Sequence, residues 1–309
     1  MASFHIPQDR VNWTWNAQHE PAVRVQSGDV VTLDVANASG GQLSRESTVD
    51  DVALMDFSRV NPVTGPIYVH GAEAGDALRV DILAIDLDCW GWTANIPGFG
   101  LLADQFPEPH LRISQVTDRY AEILPGIRVP TAPFIGTIGL AMNAPGDHPL
   151  VPPSAQGGNM DLRHLGAGCH LWLPVAVPGA LLSVGDTHAA QGDGEVAGTA
   201  IETSSSVTLR VHLEKASHLR TPRLETPASA YPSNACWVTS GIGPDLWEAA
   251  RVATQEMVEW VARLGGLAPE DAYLLTSVAG DLKISEIVDA PNWVVSMHFP
   301  KAVLEGGPR

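Results

Sequence analysis

The sequence predicts a mainly β protein: a sandwich- or barrel-like body of short strands over residues 1–215, with a C-terminal α+β portion over 216–309 packed on it. Three observations carry that reading. The 29 glycines and 24 prolines are scattered among apolar runs, which suits many short strands joined by turns. Near-alternation of apolar and polar residues, the period of a strand with one buried face, recurs around Val30–Val35, Leu78–Ile82 and Val207–Leu213. Helical spacing is confined to the last third of the chain.

In order along the chain, Gly28-Asp29 precedes the first alternating stretch and Gly75-Asp76 the second, a shared turn-then-strand pattern too brief to define a repeat. Within Val207–Leu213, Arg210 and His212 point away from the core, so His212 reads as a surface residue. The segment Ala216–Pro232, interrupted by Pro222 and Pro227, reads as a connector. From Pro244 to Leu264 the apolar residues Leu246, Ala250, Ala253, Met257, Val261 and Leu264 are spaced by three and four, with Asp245 before and Gly265-Gly266 after. That pattern is one amphipathic helix of about five turns. A shorter helix starts near Pro269-Glu270-Asp271 and runs toward Ser277, followed by a strand over Trp293–Phe299.

Composition narrows the function. Lys and Arg number 18 against 35 Asp and Glu, a net charge of −17 that repels nucleic acid and anionic membrane surfaces. No apolar run approaches the roughly 20 residues of a membrane helix. The start MASFHIPQDR lacks a basic segment followed by an apolar one, so a cytoplasmic location is expected. Cys89, Cys169 and Cys236 are far apart and read as reduced, buried thiols rather than nucleophiles. There is no Gly-x-Ser-x-Gly elbow and no Ser-x-x-Lys, and Pro97-Gly98-Phe99-Gly100 lacks the lysine of a phosphate loop.

Acid and imidazole gather in three places. Asp50-Asp51 follows the polar run Ser44–Thr48; in a loop both carboxylates either converge on a cation or form a solvated acidic turn. In Gly157–His164, Asp161 and His164 are three apart and share a face if the segment makes one helical turn, a spacing metal sites use. The third is GDTHAAQGDGE, residues 185–195. Asp186 and His188 are two apart, so an extended backbone projects both to one face, where oxygen and nitrogen can share a cation. Gly192-Asp193-Gly194-Glu195 supplies backbone that turns sharply and aims N–H groups at an oxyanion. A polar turn with an incidental histidine is the alternative. Against it stand the apolar stretches Val175–Val184 and Ala197–Ile201 on either side.

The stretches VNPVTGPIYVHGAEAGDALRVDI (60–82), GWTANIPGFGLLADQFPEP (91–109), GGNMDLRHL (157–165), LPVAVPGALLSVGDTHAAQGDGEVAGTAIE (173–202) and DLKISEIVDAPNWVVSMHFP (281–300) closely resemble the acetamidase/formamidase family, in the expected order over almost the whole chain. The GDTHAAQGDGE block is the most specific part. One departure is His70, where the family pattern usually carries glutamate before Gly71; it reads as a strand residue or an altered pocket edge.

The resemblance implies hydrolysis of short linear amides such as formamide and acetamide, releasing ammonia and a carboxylate, by a metal-containing homo-oligomer. With the residues above it implies a metal site of Asp51, Asp161, His164, Asp186 and His188 suited to zinc, and a neighbouring all-oxygen calcium site that Asp50 joins. The metal would acidify a bound water and polarise the carbonyl. Glu202 or Glu195, beside His188, would move the water's proton to the departing nitrogen, and the N–H groups from Gly192 to Gly194 would steady the oxyanion. Trp92, Ile96 and Phe99 would form a small apolar wall admitting hydrogen or methyl, unless they are ordinary core residues. Two rivals stand beside this: a γ-lactam or imide hydrolase using the same site, and a non-catalytic scaffold holding a structural ion. Nine tryptophans, among them Trp13, Trp15, Trp90 and Trp92 in expected loops, hint at contacts between subunits.

Overall fold

The computed structural model of the chain describes residues 2–227 and 235–304. One sheet has nine strands, in the order Ser3–Ile6, Val30–Val35, Ser205–Glu214, Ala77–Leu87, His170–Pro174, Arg223–Glu225, Cys236–Gly243, Trp293–Pro300, Asp281–Glu286. The second has eleven. Its main run is Ile127–Pro130, Tyr120–Leu124, His110–Val116, Trp90–Asn95, Glu202–Thr203, Leu182–His188, Phe134–Gly139, Gly157–Asn159, and Val63–Val69 also pairs with Leu182–His188. Strand pairs are antiparallel except Ser3–Ile6 with Val30–Val35 and Val23–Val25 with Val63–Val69.

The alternation read from the sequence decides which side chains fill the space between the sheets. Val31, Leu33, Val80, Ile82, Val207 and Leu209 from the nine-stranded sheet meet Ile67, Val69, Ile135, Ile138, Leu182 and Val184 from the other in one buried cluster. A β sandwich is therefore the architecture, as expected. The Gly-Asp pattern has a common mechanism. Gly28 and Gly75 take φ of 97° and 93°, and the following carboxylate ties the turn: Asp29 Oδ2 accepts Gln26 N–H at 2.9 Å, and Asp76 Oδ2 accepts Glu73 N–H at 2.9 Å. The strands that follow both pair with Ser205–Glu214.

Strands from both sides of residue 215 belong to the nine-stranded sheet, because Arg223–Glu225 bridges His170–Pro174 and Cys236–Gly243. Part of the expected connector is thus a strand, while its residues 228–232 lie outside the described residues. The helix Leu246–Gly265 begins at Asp245, whose side chain accepts Glu248 N–H at 2.9 Å, and ends at Gly266 in the left-handed region. It packs Ala249, Ala253, Met257, Trp260 and Val261 on Trp237, Val295, Met297 and Phe299, so the buried face includes Trp260 and leaves Leu264 46% exposed. Glu256 is buried on this helix because Arg220 Nε and Arg223 Nη2 pair with it at 2.7 and 2.6 Å. The second helix is Pro269–Ala279. No helix among the described residues is long and apolar enough to cross a membrane.

Cys169 and Cys236 are buried, and burial pushes their thiols up to about 12 and about 11, the opposite of an activated nucleophile. Cys89 departs from the expected burial: it is exposed, beside Arg45. Trp15 and Trp92 are core residues rather than loop contacts, and Trp90 and Trp92 lie in a strand.

His212 lies half-buried on the outer face of the nine-stranded sheet and shares Asp81 with Arg79 and His170 at 3.2, 2.8 and 2.7 Å. Burial of Asp81 favours its neutral form, but hydrogen bonds from Arg79 and His170 and the Arg79 charge outweigh it, holding the carboxyl below its ordinary value. A depressed carboxylate contributes stability above the ordinary value of 3.8 that is lost as pH falls through the lower folded value. Asp81→Asn should therefore cost about 1–3 kcal/mol at pH 7. Denaturant unfolding at pH 7 and pH 3 should show the gap between wild type and variant narrowing in acid; a gap that widens would contradict this.

Candidate functional site

The site is built on the strand Leu182–His188, whose residues are all buried, between Phe134–Gly139 and Glu202–Thr203. Register sets His188 opposite Glu202, and Glu202 opposite Trp92. The two-residue spacing puts Asp186 and His188 together: His188 Nε2 lies 3.0 Å from Asp186 Oδ1 and 3.0 Å from Glu202 Oε2. Asp161, just past the strand Gly157–Asn159, brings Oδ1 to 3.9 Å from His188 Nδ1. Glu195 enters from the loop after Leu182–His188, and Asp289 from the turn after Asp281–Glu286. Three overlapping groups each hold their ligand atoms within 4.8 Å: Asp161 with Asp186 and His188; His188 with Glu195 and Glu202; Asp161 with Glu195 and Asp289.

Backbone strain concentrates here. Asp161, Asp186 and Glu195 have φ of 42°, 52° and 44°, a region that costs non-glycine residues energy and that persists where the surroundings enforce it. Gly136 supplies the space: a Cβ there would run into Asp161 Oδ1 and lie 2.8 Å from Asp186 Oδ2. Gln191 fixes the imidazole. Its Nε2 donates to the Asp161 carbonyl at 2.9 Å, so its Oε1 is what faces His188 Nδ1 at 2.8 Å. A carbonyl oxygen only accepts, so Nδ1 carries a proton and Nε2 is left to meet the carboxylates. A second relay runs from Asp289, whose Oδ2 accepts from Asn159 Nδ2, to Asn159 Oδ1, which accepts from Asn61 Nδ2 at 2.9 Å.

Six carboxyl groups, none more than 7% exposed, gather here: Asp161, Asp186, Glu195 and Glu202 around the His188 imidazole, Asp289 beside Asp161 and Glu195, and Glu286 behind Asp289. Burial and then the Asp186 charge push Asp161 up to about 8; burial also raises Glu202 to about 7 and carries Glu195 and Asp289 well above the usual carboxylate range. Asp186 goes the other way, since His188 outweighs its burial. Burial opposes charge on His188, but Glu202 and Asp186 overcome it and raise the imidazole. Asp161 Oδ1 and Oδ2 are buried with no hydrogen-bond partner among the described residues, and Glu202 Oε2 meets only His188 Nε2. Uncompensated buried charge costs several kcal/mol per ion, so this donor set of carboxylate oxygens and one imidazole nitrogen fits a divalent cation.

Above the acids opens a cavity of about 290 Å3. Met55, Val60, Trp92, Ile96, Phe99 and Val151 line it together with Asp161, Asp186, Glu195, Glu202 and Asp289.

The acetamidase/formamidase family matches residues 4–146 and 144–306. The chain belongs to the acetamidase/formamidase family. It is 27% identical to the formamidase of Methylophilus methylotrophus over 94% of this chain and 88% of that one, and 27% identical to the acetamidase of Mycolicibacterium smegmatis over 92% and 88%. Among solved structures it superposes on an acetamidase from Bacillus halodurans with a TM-score of 0.89, at 32% identity over 97% of this chain and 98% of that one. A γ-lactamase from Delftia acidovorans is less similar, with a TM-score of 0.68 at 25% identity over 98% and 91%.

In this family member the structure brings Asp161, Asp186, His188, Glu195 and Glu202 together and puts Trp92, Ile96 and Phe99 on the cavity wall. It places the other expected residues elsewhere. Asp50 and Asp51 open the short helix Val49–Ala53, where Asp51 Oδ2 accepts Thr48 N–H at 2.7 Å and so caps the helix instead of joining the cluster. The left-handed backbone at Asp161 prevents the helical turn that would align it with His164, whose ring instead lies 4.8 Å from that of His298. Gly194 N–H donates to the Ser285 carbonyl at 2.9 Å and Gly192 lines a separate surface cavity, so neither serves an oxyanion in the pocket. His70 lies past the end of Val63–Val69, exposed and edge-on to Tyr68, away from the cavity.

Sequence reasoning missed Glu286, Asp289, Asn61 and Asn159. A signal existed for two of them: Glu286 and Asp289 punctuate the apolar run Ile284–Ala290, the same framing that marked Asp186 and His188. Glu286 Oε1 accepts the N–H groups of Val288 and Asp289 and so shapes the turn that presents Asp289. Gly136→Ala should destabilise the fold by about 1–3 kcal/mol through the crowded carboxylates. Denaturant unfolding at pH 7 checks this, and an unchanged midpoint would show that Asp161 and Asp186 do not pack against that strand.

Proposed function

We propose that the protein is a metal-dependent hydrolase of primary linear amides, formamide and acetamide among them, releasing ammonia and a carboxylate. That it is an amidohydrolase acting on linear amide C–N bonds follows from its family. The observation that carries the metal is the buried cluster itself: six carboxyl groups and one imidazole, with both Asp161 oxygens unpaired among the described residues. Asp161, Asp186 and His188 would hold the ion, with Glu202 and Asp289 completing the donor set, and zinc suits the mixed oxygen and nitrogen ligands. When bound, the cation supplies Lewis acidity, polarising the amide carbonyl and making water a stronger acid. Cytoplasmic operation is supported by three free cysteines, and a homo-oligomer by exposed apolar residues such as Leu101, Leu102 and Phe106.

The chain's own residues divide the remaining work. Glu202 is held by Ala200 N–H at 2.7 Å on Oε1 and faces His188 through Oε2, so it is a fixed ligand. Glu195 makes no side-chain hydrogen bond to the described residues and lines both the cavity and a second surface cavity, so it is placed to take a proton from water and give it to the leaving nitrogen. Gln191 keeps His188 Nε2 turned to the cluster. Chelation should abolish ammonia release from formamide and acetamide, and zinc or calcium should restore it. Glu195→Gln should lower kcat about 10²–10⁴-fold with metal content retained, whereas His188→Ala should lose the metal. Full activity in the chelated protein would overturn the metal; wild-type kcat in Glu195→Gln would overturn the base.

A further inference from the structure

The cavity is larger than its smallest substrates need. At about 290 Å3 it has room for more than the three heavy atoms of formamide or the four of acetamide. With the amide group, the attacking water and the cation set at the acidic residues, the space beside Met55, Val60, Ile96, Phe99 and Val151 is left for the acyl group. A wall of Trp92, Ile96 and Phe99 that excluded everything beyond a methyl would leave that space unused.

The chemistry of that space is restricted. Met55, Val60, Ile96, Phe99 and Val151 present only hydrocarbon, thioether or ring surface. Two polar groups next to these residues are already used: Trp92 Nε1 donates to Asn37 Oδ1 at 3.0 Å, and Thr199 Oγ1 donates to the Ala94 carbonyl at 2.8 Å and accepts Ala94 N–H at 3.0 Å; Asn61 Oδ1, beside the acids, is the one amide oxygen of the lining without a partner among the described residues. No lysine, arginine or histidine occurs among the described residues that line the cavity, and its charged lining is acidic. A polar substituent there would lose its hydration without a partner, and an anionic one would also meet the carboxylates. Phe57 and Phe99 stand edge to face at 6.5 Å, an aromatic pair that flat or branched hydrocarbon can pack against.

We propose that the preferred substrates are uncharged primary amides whose acyl group is an apolar chain or ring larger than the methyl of acetamide, seated against Met55, Val60, Ile96, Phe99 and Val151. The proposal rests on the amidase reading above and adds the class of acyl group. Remote apolar contacts held through the reaction raise kcat/KM, by tenfold or more per well-packed group.

The test is ammonia release by the metal-loaded protein from formamide, acetamide, butyramide, hexanamide and phenylacetamide, with succinamate as the anionic counterpart of butyramide. We expect kcat/KM to rise at least tenfold from acetamide to hexanamide or phenylacetamide, and succinamate to fall at least a hundredfold below butyramide. Val151→Trp, which fills the apolar end, should lower the hexanamide-to-acetamide ratio of kcat/KM at least tenfold, a comparison internal to one folded preparation. Acetamide turned over with kcat/KM falling steadily along the series would overturn the proposal and leave the amidase reading intact. No release from any amide would overturn that reading, and the proposal with it.

Discussion

Everything at the heart of this protein is arranged around the burial of like charges. Asp161, Asp186, Glu195, Glu202, Glu286 and Asp289 converge with His188 in a space from which solvent is almost excluded. Left alone, such a set would be held together only by taking up protons, as the raised Asp161, Glu202 and Glu195 show. A cation removes that need, turning repulsion among carboxylates into a shared attraction. On the proposed reading the cluster is a cation site that folding assembles in advance.

The sandwich makes the assembly feasible. Leu182–His188 is interior to its sheet, with hydrogen-bonded neighbours on both sides, so Asp186 and His188 cannot swing away from one another. The positions that strain the backbone are the same ones that bring acids inward, and Gly136 is where the neighbouring strand yields room. Gln191 then converts an ordinary side-chain hydrogen bond into a choice of tautomer. Strand register adds the rest of the pocket, since one cross-strand line carries His188, Glu202 and Trp92 from the acids to the apolar wall.

How much of this was readable in advance follows from the range of the interactions involved. Period-2 alternation gave the strands and the core face because both depend on a residue and its near neighbours; the helix at Leu246–Gly265 was plain for the same reason, with Asp245 as its cap. Asp186 and His188 were legible because two-residue spacing in a strand is itself geometry. Asp161 with His164 was misleading: spacing of three implies a shared face only on a helix, and a single left-handed residue cancels it. Asp51 illustrates a different limit, since a helix cap and a metal ligand demand the same side chain and only the fold tells them apart. Asp289 comes from more than a hundred residues further along the chain than Asp161, and no local pattern reports a contact of that span.

The site's two halves have opposite physical characters, an acidic floor and a hydrocarbon wall, which suits a neutral amide entering and a carboxylate leaving a negatively charged surface. The claim on which the rest depends is that a cation neutralises the floor. Elemental analysis of the purified protein, paired with its melting temperature before and after exhaustive chelation, tests it directly. The arrangement predicts at least one equivalent of divalent metal per chain and a melting temperature that falls several degrees on its removal and recovers on its return. Metal-free protein that melts at the same temperature with or without added zinc or calcium would contradict it.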